Sequence, residues 1–98
     1  MTTKLLKDNN KLIVKVEGRI DTNTAPVLFD SLKDSLNGLK ELVMDLEKVD
    51  YISSAGLRVF LSLQKTMNAQ GKMIVKNVDK KVMEVFELTG FDEILTFE

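Results

Sequence analysis

The sequence predicts an α/β domain with a small, mixed and mostly parallel β-sheet of four to five strands and three to four helices. This prediction depends on three glycines, each of which follows a segment of helical periodicity and precedes an apolar or β-branched run. They are Gly38, Gly71 and Gly90, and each is expected to adopt the positive φ of a helix C-cap. Strands that alternate with helices need crossover connections, which make neighbouring strands parallel. No linker interrupts residues 1–98, so we expect a single domain.

Two strands are expected before the first helix. The apolar run 12–16 predicts a strand that ends at Gly18. Residues 5–7 are expected to pair with it through the turn Asp8-Asn9-Asn10, because Asn and Asp tolerate the left-handed backbone of tight hairpins. The sheet is therefore expected to have one antiparallel edge.

The first helix is expected to follow Thr24, a favoured N-cap residue. Pro26 then falls in the first turn, where its missing N–H costs nothing. Apolar residues recur from there at the spacing of one helical face, and they are Val27, Leu28, Leu32 and Leu36.

Two further helices are predicted. The second begins at about Ser54 and ends at about Gln70, and the third spans 80–88 with Asp79 as its cap. The apolar side of the third helix is expected to contain Val82, Val85, Phe86 and Leu88.

The remaining strands are predicted from apolar runs. Segment 39–46 contains the continuous run 42–44, which is typical of a strand covered on both faces, so this strand is expected at the centre of the sheet. Segments 73–75 and 94–97 predict two more strands.

Composition excludes several classes of function. The chain has 14 basic and 15 acidic residues, and this balance gives no electrostatic footprint for nucleic acid or for anionic membranes. It has no cysteine and no histidine, so disulfides, thiolate metal sites and the commonest general base are missing. We expect no metal and no cofactor. The apolar runs are too short for a signal peptide or a membrane span, which predicts a cytoplasmic protein.

Two serines lie where a predicted strand meets a predicted helix, in the stretch VDYISSAGLRVF. In open α/β sheets, functional groups gather at the carboxyl ends of the strands. The loop after Gly18 leaves a second strand, so the two segments are expected to lie side by side. The rim they form would contain Asp21, Thr22, Thr24, Ser53 and Ser54.

Several roles are open to these serines. One of them could simply cap the helix, although neither has Glu or Gln three positions later to complete a capping box. A nucleophile is disfavoured because the chain lacks histidine and a Gly-x-Ser-x-Gly elbow, and no phosphate-binding loop is present. A phosphoryl acceptor fits, because the N–H groups and the dipole of a helix N-terminus stabilise a phosphate dianion.

Leu57 and Leu61 leave two alternatives open. At about 100° per residue they lie beside the core face that contains Gly56 and Phe60. They either widen the buried stripe of the second helix or form an exposed apolar patch next to the serines. A patch at this position would be a partner surface.

Three blocks of the sequence resemble STAS domains, specifically the bacterial anti-sigma factor antagonists. Residues 45–57 are similar to the family pattern Asp-Leu-x-x-Val-x-Tyr/Phe-Met/Ile-Asp/Ser-Ser-x-Gly-Leu. Residues 18–26 are similar to Gly-Glu-Ile/Leu-Asp-x-x-x-Ala-Pro, and residues 86–94 to Phe-x-Leu-x-Gly-Leu-x-x-Ile. The blocks occur in the family's order and span almost the whole chain.

The resemblance implies a non-enzymatic regulatory module that works by partner switching. The unphosphorylated form would bind an anti-sigma factor that is also a serine kinase of the histidine-kinase-like ATPase type, and so release a sigma factor. The kinase would phosphorylate the antagonist with ATP and drive it off, and a PP2C-type phosphatase would restore it. We expect a monomer or a weak dimer.

The resemblance also implies roles for individual residues. The phosphoryl acceptor falls on Ser54, Ser53 takes the place of an aspartate found in many members, and Arg19 replaces the usual glutamate. The expected partner contacts are Asp21, Thr22, Ser53, Ala55, Gly56, Leu57, Arg58 and Leu61.

Two other functions are weighed against this one. A STAS module can serve as a scaffold or adaptor in a stressosome-like or ABC lipid-transport complex, where no phosphorylation is needed. A small ligand-binding protein would instead use the hydroxyl groups of the rim.

Overall fold

The structure, a computed structural model that describes residues 1–98, is a four-stranded mixed β-sheet with the spatial order β1-β2-β3-β4. β1 is antiparallel to β2, whereas β2, β3 and β4 run parallel. This confirms the predicted fold class, the antiparallel edge and the central position of β3. The strands are β1 Thr2–Asp8, β2 Lys11–Ile20, β3 Glu41–Ile52 and β4 Lys72–Lys76.

Three α-helices follow β2, β3 and β4 in turn. They are α1 Ala25–Leu32, α2 Ser54–Asn68 and α3 Lys80–Leu88. Two 3-10 turns, Lys33–Ser35 and Phe91–Glu93, extend the first and third of these segments, and the first turn brings Leu36 into the core. None of the helices combines the length and the apolar character needed to cross a membrane.

All three helices pack on one face of the sheet. Leu42, Met44 and Leu46 of β3 point to this face and belong to a single cluster of 23 buried apolar residues to which every helix contributes. The prediction that β3 is covered on both faces is wrong, because no helix lies on the opposite face. Val43 is nevertheless only 4% exposed there, between its register partners Ile13 and Ile74.

The expected strand at residues 94–97 is wrong. The 3-10 turn Phe91–Glu93 lies immediately before this segment and has Ile94 as its C-cap, so Ile94 is not available for a strand. A single bridge, between Val75 and Phe97, joins the segment to β4. The Val75 N–H donates to the Thr96 carbonyl at 2.8 Å. Phe97 is held by its ring instead, with its centroid 5.3 Å from that of Phe86.

The glycine predictions are confirmed at two positions of three. Gly38 and Gly90 have φ values of 77° and 79°. Gly71 has no positive φ, so the prediction of a C-cap conformation there is wrong. Its role is close approach, because a Cβ at Gly71 would collide with the backbone carbonyl of Lys40.

The helical period wrongly predicts that Leu88 lies on the buried side of the third helix. Val82 and Phe86 are buried and Val85 is partly buried, as predicted, but Leu88 is 88% exposed. It is the last residue of a nine-residue helix and lies about 140° around the helix from the midpoint between Val82 and Phe86. Its side chain therefore projects away from the sheet.

Candidate functional site

The carboxyl ends of β2 and β3 lie side by side, as the sequence predicts. Ile20 and Ile52 are register partners, and the Ser53 N–H donates to the Ile20 carbonyl at 2.8 Å. The loop that starts at Asp21 and the start of α2 therefore leave the sheet together. We call residues 19–24 and 51–58 the rim.

Gly56 brings α2 close to these strand ends. It is buried, and a Cβ at this position would lie 2.7 Å from Cγ1 of Ile52 and 2.8 Å from Cγ2 of Ile20. Any side chain would push the first turn of α2 away from the sheet. Gly56 therefore fixes the height of both serines above the strands and offers no side chain to a partner.

The start of α2 gives the two serines different environments. Ser53 has an extended backbone and is the N-cap, and its hydroxyl accepts from the Gly56 N–H at 3.4 Å. Ser54 is the first helical residue, it is exposed, and its hydroxyl makes no hydrogen bond within the chain. The N–H groups of Ser54 and Ala55 also have no partner within the chain. The capping role thus belongs to Ser53 and leaves Ser54 free.

The Asp21 carboxylate organises the neighbouring loop. Its Oδ1 accepts from the N–H groups of Asn23 and Thr24 at 3.0 and 2.9 Å. Thr24 is the N-cap residue of α1, as predicted, but its side chain makes no capping bond, because its hydroxyl donates to the Arg19 carbonyl at 2.6 Å. That hydroxyl also accepts from the Asp21 N–H at 2.8 Å. Thr22 lies between them and is exposed.

These contacts lower the pKa of the Asp21 carboxyl below its ordinary value. The largest cause is the hydrogen bond from the Thr24 N–H. The Asn23 N–H, the Thr24 hydroxyl and the charge of Arg19 act in the same direction, and desolvation opposes them. Asp21 is therefore an ionised carboxylate at neutral pH, on the loop beside the serines.

Arg19 is held on the rim by two contacts. Its Nε lies 3.7 Å from Oδ2 of Asp21, and its guanidinium carbon lies 4.1 Å from the centroid of the Tyr51 ring. Sequence reasoning missed Tyr51. The pairing depends on the register of Arg19 with Tyr51, and this register includes a shift after Gly18 that no local pattern reveals.

Leu57 and Leu61 of α2, for which the sequence leaves a buried and an exposed position open, differ in burial. Leu57 is 7% exposed and belongs to the core cluster, so its assignment as a partner contact is wrong. Leu61 is partly buried. The exposed apolar patch beside the serines therefore does not form, because the first of its two members packs inward.

Arg58 is exposed and forms no ion pair with a carboxylate of the chain. It borders a groove of about 320 Å³ between α1 and α2. The other lining residues are mostly apolar and are Ala25, Pro26, Phe29, Ala55, Val59 and Ser62.

A second concavity, of about 350 Å³, lies around Asp45, where the Asp45 carboxylate accepts from the side-chain amide of Asn77 at 3.2 Å. None of its lining residues belongs to the rim, so it gives no support to a ligand held by the rim hydroxyls. No three acidic side chains come together in a way that could hold a metal ion.

The chain matches the STAS domain family over residues 3–98 and belongs to that family. Its relatives include anti-sigma factor antagonists. BtrV of Bordetella bronchiseptica, which is assigned to that class by name, is 37% identical over 87 residues, a match that covers 87% of this chain and 75% of BtrV. The anti-sigma-B factor antagonist of Bacillus subtilis is 30% identical over 90 residues, which are 91% of this chain and 83% of that protein.

Solved structures share the fold. An anti-sigma factor antagonist from Mycobacterium paratuberculosis superposes with a TM-score of 0.88 at 25% identity, covering 98% of this chain and 83% of its own. The anti-sigma factor antagonist SpoIIAA in its unphosphorylated form superposes with a TM-score of 0.84 at 15% identity, and the match covers 99% of this chain and 88% of SpoIIAA. The phosphorylated form of SpoIIAA superposes with a TM-score of 0.77 at 15% identity, and the match covers 99% of this chain and 91% of SpoIIAA. The chain thus shares its fold with solved anti-sigma factor antagonists.

Proposed function

We propose that this chain is an anti-sigma factor antagonist whose binding is switched off by phosphorylation of Ser54. One observation carries the proposal: the Ser54 hydroxyl is exposed and unbonded at the first residue of α2, beside two N–H groups without partners. A phosphate on this oxygen would meet the positive end of the helix dipole. The assignment of the relatives as anti-sigma factor antagonists and the existence of SpoIIAA in two phosphorylation states support it.

The partner is an anti-sigma factor that is also a serine kinase of the histidine-kinase-like ATPase type. In its binding form the chain offers a rim with a neutral Ser54 hydroxyl, the Asp21 carboxylate and the Arg58 guanidinium. Thr22, Ser53, Ala55 and Leu61 surround these groups, and Gly56 with Leu57 supports them from below. Docking of the antagonist releases the sigma factor. The chain acts by binding, as a non-enzymatic component in the cytoplasm.

Phosphoryl transfer would occur on the kinase. A bond forms between the Ser54 Oγ and the γ-phosphorus of ATP, the bond from that phosphorus to ADP breaks, and a base of the kinase takes the hydroxyl proton. This chain has no histidine to serve as that base, and Asp21 Oδ1 already accepts two backbone N–H bonds. A PP2C-type phosphatase would restore the Ser54 hydroxyl by hydrolysis: water attacks the phosphorus, the bond to Oγ breaks, and inorganic phosphate leaves.

The switch is a difference in affinity. The phosphate adds about −1.5 to −2 charges to the rim at pH 7, and a partner without a matching cation must desolvate them unpaired. A penalty of about 2–3 kcal/mol is enough to weaken binding by roughly 30- to 150-fold.

The test is phosphorylation by ATP and the candidate kinases of the same organism, followed by intact mass. We expect the native chain to gain one phosphoryl group, Ser54→Ala to gain none, and the matched control Ser53→Ala to gain one. No gain in the native chain, or the same gain in Ser54→Ala, would refute the switch. The first result would favour a scaffold or adaptor role without phosphorylation.

A further inference from the structure

Arg58 lies one helical turn after Ser54 on the exposed face of α2. Residues at this spacing are neighbours on a helix, with Cβ atoms about 5–6 Å apart. Both side chains are exposed, and no carboxylate of the chain pairs with Arg58. Arg19, the other arginine, is held instead by Asp21 and Tyr51. Arg58 is therefore the arginine available to a group added at Ser54.

In the unphosphorylated chain the Arg58 side chain borders the groove between α1 and α2. Pro26 and Phe29 of α1 line the same groove, together with Val59 of α2. These neighbours supply apolar surface for the aliphatic part of the side chain. The Ser62 hydroxyl also lines the groove, but no hydrogen bond joins it to the Arg58 guanidinium. Little therefore opposes a change of rotamer, and an arginine can bind phosphate through two parallel N–H bonds.

We propose that Arg58 is a positioning residue for the phosphorylated state: a phosphate on Ser54 withdraws the Arg58 guanidinium from the α1–α2 groove and holds it in an ion pair one turn away. The N–H groups of Ser54 and Ala55 would bind the same phosphate. This inference rests on Ser54 being the phosphoryl acceptor.

The pairing gives phosphorylation a second effect. Besides adding negative charge at the start of α2, it removes a cation from the edge of the groove. A partner that contacts both the rim and the groove would lose the Arg58 contact at the same time as it meets the phosphate. A local modification would thus alter the surface over two turns of α2 without a change of fold.

The test uses full-length protein with phosphoserine incorporated at position 54 during synthesis, so that no kinase is needed. The 31P chemical shift is followed from pH 4 to pH 8 in the phosphorylated native chain and in phosphorylated Arg58→Gln. An adjacent guanidinium favours the dianion, so we expect the midpoint of the titration to lie about half a pH unit higher in Arg58→Gln. The matched control is Lys65→Gln, which removes the same charge from the same exposed face about three turns from Ser54.

Equal midpoints in the native chain and Arg58→Gln, or equal displacements in Arg58→Gln and Lys65→Gln, would overturn the proposal. A second readout separates pairing from a general field effect. We expect contacts between Arg58 and the Phe29 ring in NOE spectra of the unphosphorylated chain to disappear on phosphorylation. Their persistence would also overturn it. Because the phosphate is installed without a kinase, failure here is distinct from failure of Ser54 to be phosphorylated in the proposed circuit.

Discussion

Ser53 and Ser54 have the same chemistry and adjacent positions, yet the start of α2 assigns them different tasks. Ser53 has φ −98° and ψ 176°, which directs its hydroxyl back toward the first turn, whereas Ser54 is helical and its hydroxyl faces solvent. Residue type alone could not make this distinction, because neither serine has a capping-box partner. The family resemblance selected Ser54 as the acceptor, and the geometry supplies a physical reason for that choice.

Asp21 predicts a specific pH dependence of stability. Its pKa is lowered in the folded chain, so its ionisation stabilises the fold above the unfolded pKa of about 3.9, and this contribution is lost as the pH falls toward the folded pKa. We expect the difference in free energy of unfolding between the native chain and Asp21→Asn to be constant from pH 7 to pH 5. It should shrink below about pH 4. Urea titrations over this range measure it, and a difference that grows on acidification would contradict the assignment.

Gln64 is a polar residue whose side chain is buried in α2. It is 5% exposed, its Nε2 donates to Oδ1 of Asn68 at 2.8 Å, and its Oε1 is buried without a partner. We expect Gln64→Leu to raise the free energy of unfolding by about 1 kcal/mol, because it removes an unsatisfied oxygen while Asn68 remains exposed to water. Chemical denaturation measures this change.

Gln70 provides the matched control for that substitution. Its Nε2 donates to the Leu39 carbonyl at 2.8 Å and also to the Leu36 carbonyl, which accepts from the Leu39 N–H as well, so Gln70→Leu leaves the Leu39 carbonyl unpaired. We expect it to lower the free energy of unfolding by about 1–3 kcal/mol. Similar losses in both variants would show that the buried Gln64 oxygen is satisfied in solution.

The packing of α2 on the strand ends depends on one glycine. In an exposed helix, Gly→Ala stabilises by up to about 1 kcal/mol through helix propensity. At Gly56 we expect the opposite sign, a loss of about 1–3 kcal/mol in thermal or urea unfolding, because the new methyl group would overlap Ile20 and Ile52. Stabilisation by Gly56→Ala would contradict the close approach of α2 to the sheet.

The elements differ in how far the sequence determines them. Helices α2 and α3 were predictable because a cap residue, a 3.6-residue period and a following glycine agree at each. β3 was predicted over residues 39–46 but extends to Ile52. Its second half has two exposed residues before each of the buried residues Val49 and Ile52, so it lacks the alternation of a regular strand. It also pairs with β2 across two register shifts, which are properties of the strand pair rather than of local sequence.

At the scale of the molecule, the order and class of the elements could be predicted, but not the distribution of layers. The apolar run Leu42-Val43-Met44 is typical of a strand between two helical layers. In the structure Val43 is buried by its neighbours Ile13 and Ile74 within the sheet. Such burial arises from pairs of residues distant in sequence, and a single strand's pattern does not distinguish it from coverage by a helix.

The arrangement of layers determines what the whole molecule offers to a partner. Helices on one face bring the carboxyl ends of β2 and β3 and the start of α2 to one edge of the sheet. Ser54, which we propose as the phosphorylation site, the loop of Asp21 and the groove beside Arg58 are then parts of one continuous surface. A single added phosphate can therefore act on the whole of that surface.

The measurement that tests this account most directly is the affinity of the anti-sigma factor for three forms of the chain by titration calorimetry. These are the unphosphorylated chain, the chain with phosphoserine at position 54, and Ser54→Ala. We predict that Ser54→Ala binds like the unphosphorylated chain and that phosphoserine weakens binding by at least about 30-fold. Equal affinities for the phosphorylated and unphosphorylated chains would contradict the proposed switch.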